Sequence, residues 1–142
     1  MAVKQISVTL DNVPGTFSRL TSILEKEGIE VKALMAATAA ENGTVRMIVN
    51  DPQKAEAILE SFGFNYEIAP VIAAEVPSHP GGMNAILNPL NKAEINIDYL
   101  YTTINRIGRE TIVIIGTDKP DETQEALRQN WISLIGDEIY SL

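Results

Sequence analysis

Cysteine is absent from the 142 residues. Neither a disulfide framework nor a thiolate nucleophile or thiolate metal site is available, which fits a reducing compartment. Histidine and tryptophan occur once each. A single imidazole with no carboxylate at ligand spacing falls short of a metal site, and no cofactor is expected. Cations are scarce: eleven Lys and Arg stand against nineteen Asp and Glu, for a formal charge of −8. The cations are also scattered, which disfavours a nucleic-acid partner and an anionic membrane surface alike. No apolar run approaches spanning length, and Met1-Ala2-Val3-Lys4-Gln5 lacks the apolar block of a signal peptide. The expectation is a soluble cytoplasmic protein.

What the chain does contain is a repeat. Ile6, Val8 and Leu10 alternate into Asp11-Asn12-Val13-Pro14-Gly15, and Ile72, Ala74 and Val76 lead into His79-Pro80-Gly81-Gly82. Pro14 and Pro80 are 66 positions apart (80 − 14), and the same offset carries Leu20 onto Ile86, Leu24 onto Leu90 and Ile29 onto Ile95. Residues 1–69 and 70–142 are therefore expected to be two copies of one domain. Each is small enough to need packing against its fellow or a second chain. Only Ala69 and Pro70 separate the last strand of one copy from the first of the next, so the two should be nearly continuous.

Period-two alternation predicts a strand over Gln5–Leu10. Pro14 is expected in the first turn of a helix reaching Lys26, with Phe17, Leu20, Ile23 and Leu24 on its apolar face and Gly28 as its stop. Ile29–Ala40 reads as a second strand, Asn42-Gly43 as a tight hairpin turn and Thr44–Asn50 as a third strand. Asp51 should cap a helix begun by Pro52, whose stripe is Ala55, Ile58, Leu59 and Phe62; Gly63 ends it, and Phe64–Ile68 is a fourth strand. The second copy reads as strand Val71–Val76, helix Gly81–Asn91, strands Ile95–Ile104 and Thr111–Thr117, helix Asp121–Asn130 and strand Ile132–Tyr140. Pro89 should kink or shorten its helix near Ala85. Matching Phe62 to Trp131 shifts the offset to 69 and makes Trp131 a core residue. The fold class expected is α+β, two ferredoxin-like βαββαβ domains in tandem, each with its helices on one face of an antiparallel sheet.

The segment Ile6–Leu20, with Asn-x-Pro-Gly between strand and helix, resembles the opening of an ACT domain, and the element order extends that resemblance to a tandem pair. The motif is degraded in the second copy, where Ser78 replaces Asn12. ACT domains are small-molecule sensors, usually of amino acids, that regulate metabolic enzymes and often bind ligand between paired domains. The resemblance implies an amino-acid-binding regulatory protein rather than an enzyme, with a partner metabolic enzyme and a homodimer as expected associations.

The candidate site follows from the strand-to-helix turn. Amides of Gly15, Thr16 and Phe17 at a helix start welcome a carboxylate, and Gly15 keeps the backbone open. Asp11, Asn12, Val13, Pro14, Gly15, Thr16 and Met35 are the candidates in the first copy, and His79, Gly81, Gly82, Tyr99 and Tyr101 in the second. Asn12 reads as the side chain that contacts the amino acid, or as one that with Asp11 merely shapes the turn. His79 reads as a carboxylate contact or as a surface histidine, and the two tyrosines as pocket lining or edge packing. A regulatory subunit or scaffold acting by protein contact without ligand is the alternative. Catalysis by a small lyase or isomerase would need two converging acids, and Asp11, Asp51, Glu75, Asp98 and Asp118 are dispersed.

Overall fold

Ile6, Val8 and Leu10, at period two with their side chains buried on one face, produce the first strand, β1 (Val3–Asp11), in the computed structural model, which describes residues 2–39, 41–104 and 110–142. The chain divides into two compact units, one of Lys4–Ala69 with Tyr140–Leu142, the other of Pro70–Ile139 with the residues up to Val3.

In the unit that begins at Lys4, helix α1 (Thr16–Lys26) follows β1, and β2 (Val31–Ala39) and β3 (Asn42–Val49) form a hairpin. Helix α2 (Pro52–Ser61) and β4 (Asn65–Glu75) complete it. The strand order is β2-β3-β1-β4, with β1 antiparallel to β3 and β3 to β2. Ile6, Val8 and Leu10 of β1 and Val45, Met47 and Val49 of β3 share one core with Leu20 and Leu24 of α1 and Ala55, Ile58 and Leu59 of α2. Both helices thus cover a single face of the sheet, because period-two and period-3.6 apolar stripes meet there.

The other unit repeats the plan. Its first strand is the end of β4, followed by α3 (Gly82–Lys92), β5 (Tyr99–Thr102), β6 (Ile112–Gly116), α4 (Pro120–Gln129) and β7 (Leu134–Ile135). β4 pairs antiparallel with β6 and with β7, and β6 with β5. Ile72, Ala74, Val113 and Ile115 pack with Ile86 and Leu90 of α3 and Leu127 of α4. The expected βαββαβ repeat is present in both units.

Several local expectations are corrected. Asn42 and Gly43 are not the hairpin turn: they pair with Ala39 and Thr38 on one side and with Asp11 and Leu10 on the other, so β3 is laddered to its first residue. Phe62 is exposed, since α2 ends at Ser61 and Phe62 has left the apolar stripe. Two expected strands, Phe64–Ile68 and Val71–Val76, are one strand, β4, with Pro70 inside it. Pro89 does not end α3, which continues to Lys92; it falls in the last turns, where one lost bond to Ala85 leaves the rest of the helix intact, and Ala93 N–H still reaches Pro89 O at 3.1 Å.

The second copy's strands are also shorter than expected. Ile95 is held by the helix end, its N–H on Leu90 O at 2.9 Å, so the ladder begins only at Tyr99. Residues 105–109 of the expected loop lie outside the described residues. The last strand stops at Ile135 because Ile139 N–H turns back to Gly136 O at 3.0 Å, opening a 3-10 turn over Asp137–Ser141.

Register also revises the repeat arithmetic. Ile6 faces Met47 as Ile72 faces Ile115, so β1 maps onto β4 with an offset of 66 (72 − 6) and β3 onto β6 with one of 68 (115 − 47). Two residues, not three, are inserted, between the second and third strands. Trp131 therefore matches Gly63 and not Phe62, and it is 94% exposed instead of core.

Candidate functional site

Pro at the second and Gly at the third position of Val13-Pro14-Gly15-Thr16 specify a type II turn. Gly15 has φ +91° and ψ −13°, the left-handed geometry that turn requires, and Thr16 N–H closes it on Val13 O at 3.4 Å. Helix α1 starts only at Thr16, so Pro14 precedes the helix and is not in its first turn. The reason is the reversal: a turn with positive φ at Gly15 cannot be part of a helix that includes Pro14.

The turn is held from several sides. Val13 N–H donates to Asp11 O and Asn12 N–H to Glu41 O, both at 2.9 Å. Thr16 Oγ1 donates to Asp11 O at 2.9 Å and Val13 O at 3.1 Å. Asn12 N–H thus ties the turn to the β2–β3 hairpin, and a cavity of about 380 Å³ opens between the two. Asp11, Asn12, Val13, Pro14, Gly15 and Thr16 all line it, with Phe17. The facing wall is small: Ala36, Ala37 and Thr38 of β2 and Gly43 and Thr44 of β3. Asp11 is the one charged residue among the described lining residues.

No side chain caps α1, in contrast to α2, where Asp51 Oδ1 accepts from Lys54 N–H at 3.1 Å. The partial positive charge of the α1 start is left to whatever enters beside it. A methyl group placed on Gly15 would meet no protein atom within 4 Å. Met35 does not line the cavity; it sits in β2 opposite Arg46.

The second copy keeps the turn and changes its surroundings. Gly81 has φ +86° and ψ +6°, and Gly82 N–H closes on His79 O at 2.9 Å. Gly82 is buried, and a methyl group there would stand 2.0 Å from Pro77 O, so close backbone packing dictates this glycine. His79 is exposed, with Nδ1 2.9 Å from Pro80 O. His79 and Ser78 line a different cavity of about 370 Å³, with Glu75, Glu110 and the Trp131–Ser133 segment. Tyr99 and Tyr101 stack on each other, centroids 6.3 Å apart, and the Tyr99 ring covers Gly116. Gly81, Gly82 and the tyrosines do not line that cavity.

Among the described residues no three His, Asp or Glu side chains come together to hold a metal ion, and no helix is long and apolar enough to cross a membrane. Of the titratable groups, Tyr66 departs from its ordinary range. Its phenol is pushed up by partial burial and by the carboxylates of Glu56 and Glu60, with Glu56 Oε1 at 3.4 Å and Glu60 Oε2 at 3.5 Å.

Sequence reasoning missed Thr38 and Thr44 as lining residues, and for Phe17 it offered the amide but not the side chain. Phe17 lay on the apolar stripe and read as core, whereas it is partly exposed at the cavity. Thr38 and Thr44 are brought to the turn by the pairing of β3 with β1, Thr44 opposite Thr9 and Gly43 opposite Leu10, which no short-range signal encodes.

The chain belongs to the ACT domain pair family, whose profile matches residues 1–141. It is similar to protein BT0572 from Bacteroides thetaiotaomicron, with 31% identity over 100% of this chain and 98% of that one, and a TM-score of 0.90. The ligand-free regulatory subunit of aspartate kinase from Thermus thermophilus shares the fold at 16% identity, covering 90% of this chain and 91% of that one with a TM-score of 0.61. No protein of curated function matches the sequence. The fold is that of two tandem ACT domains.

Proposed function

We propose that the protein is an amino-acid sensor, made of ACT domains at 1–69 and 70–142, that binds a small amino acid at the β1–α1 turn of the first domain. The observation that carries the reading is the uncapped start of α1 opening into a cavity walled by small side chains. The ligand carboxylate would lie against the amides of Gly15 and Phe17, Thr16 N–H being engaged by Val13 O, and Asp11 and Asn12 would face its ammonium group. A volume near 380 Å³ is at the low end of the about 300–1,000 Å³ of small-molecule sites, which favours a compact ligand.

Regulation, not catalysis, is the proposed role. Ligand binding favours one arrangement of a cytoplasmic homodimer, and a partner metabolic enzyme reads that arrangement. The likeness to an aspartate kinase regulatory subunit supports a partner in amino-acid metabolism. Thermal-shift screening with the twenty amino acids, followed by calorimetric titration, tests the reading. At 100 times its dissociation constant a ligand adds about 2.7 kcal/mol of stability. If no amino acid raises the melting temperature or gives heat, the sensor reading fails.

A further inference from the structure

The two copies leave their second helix by the same route with different residues. After α2 the chain passes through Gly63 at φ +75°, and Phe64 N–H returns to Leu59 O at 2.9 Å. After α4 it passes through Trp131 at φ +62°, and Ile132 N–H returns to Leu127 O at 3.1 Å. Left-handed backbone is unstrained for glycine and disfavoured for a bulky residue. Burial does not compensate, because Trp131 is 94% exposed. The fold of this turn is served by glycine in one copy, so the indole at the same place in the other contributes to something other than the fold.

Trp131 stands at the rim of the cavity of about 370 Å³ in the second copy. Glu75 N–H donates to Ser133 O at 2.9 Å, which fixes the Trp131–Ser133 segment beside the end of β4. Glu75 and Glu110 line this cavity, together with Ser78 and His79, and no Lys or Arg is among the described lining residues. We propose that the cavity binds an organic cation, an ammonium group seated against the face of Trp131 with Glu75 and Glu110 supplying the counter-charge. The indole face attracts a cation through its quadrupole, and two carboxylates at the same opening repel anions. The site is separate from the β1–α1 turn and does not depend on the amino-acid reading.

Trp131 is the chain's single tryptophan and so reports on its own site. Choline is titrated against the full chain while Trp131 fluorescence is followed, with 3,3-dimethyl-1-butanol as the uncharged analogue of the same shape and propionate as an anion. Saturable change with choline alone is expected, and the Glu75→Gln, Glu110→Gln double variant, which keeps the reporter, should raise the half-saturation concentration at least about tenfold. Trp131→Gly should fold with an unchanged or higher melting temperature and lose choline binding by calorimetry. An equal response to the uncharged analogue, no saturable response, or retained binding in Trp131→Gly would each overturn the proposal.

Discussion

The ring of Tyr99 lies over Gly116, its partner across the β5–β6 ladder, so closely that a methyl group on Gly116 would stand 2.1 Å from Tyr99 Cζ. Tyr99 also stacks on Tyr101, which is buried. An aromatic covering a strand glycine fills the space the missing side chain leaves. Gly116→Ala should therefore cost about 1–3 kcal/mol in denaturant unfolding by overpacking. Adding Tyr99→Ala should recover part of that cost, a coupling that a double-mutant cycle measures directly.

Gly15→Ala separates backbone strain from occlusion of the cavity. The new methyl meets no protein atom, so the expected loss is the left-handed penalty alone, about 1–2 kcal/mol. The same methyl projects beside the α1 amides, so any amino-acid-dependent rise in melting temperature seen in the parent should shrink or vanish. A variant that folds and still shows the full rise would place the ligand elsewhere.

Asp51→Ala tests a helix start that a side chain caps. Its carboxylate accepts from Lys54 N–H, and removing it should cost about 1 kcal/mol with an unchanged dependence on denaturant. Ligand response should be unaffected, since Asp51 does not line the cavity at the turn.

Alkaline pH should weaken the unit that contains Tyr66. Its folded pKa is raised above 10.0, by partial burial first and by Glu56 and Glu60 next. The folded state therefore holds the phenol proton more tightly than the unfolded chain, and the stabilisation is complete below pH 10.0 and lost as pH rises from there through the folded pKa. Tyr66→Phe should remove that component of the loss in melting curves and the late-ionising component in a phenol absorbance titration.

Periodicity made the repeat and both helix stripes legible, because burying Ile6, Leu20, Leu24 and Leu59 on one side is the dominant requirement of a small sheet-and-helix unit. The family resemblance, carried by Asn12-Val13-Pro14-Gly15, matched the family shown by the whole chain. Helix ends were less legible. Trp131 lies one residue beyond the C-cap Asn130, where an apolar side chain swings away from the stripe, and alternation alone does not mark that point. Val13-Pro14-Gly15-Thr16 carried the type II turn signal, yet proline near a helix start also fits the first helical position, and only the φ of Gly15 decides between them. The facing wall of the cavity was hidden for another reason: Thr38 and Thr44 reach the turn because β3 pairs with β1, which lies far back along the chain.

Gly82 packed against Pro77 carries a consequence for how such duplicates diverge. The same backbone turn holds Thr16 in one copy and a buried glycine at the matching place in the other, so what surrounds a turn is exchanged without any change of architecture. Specialisation of one half can then proceed silently, leaving the other to acquire a new chemistry on an inherited scaffold.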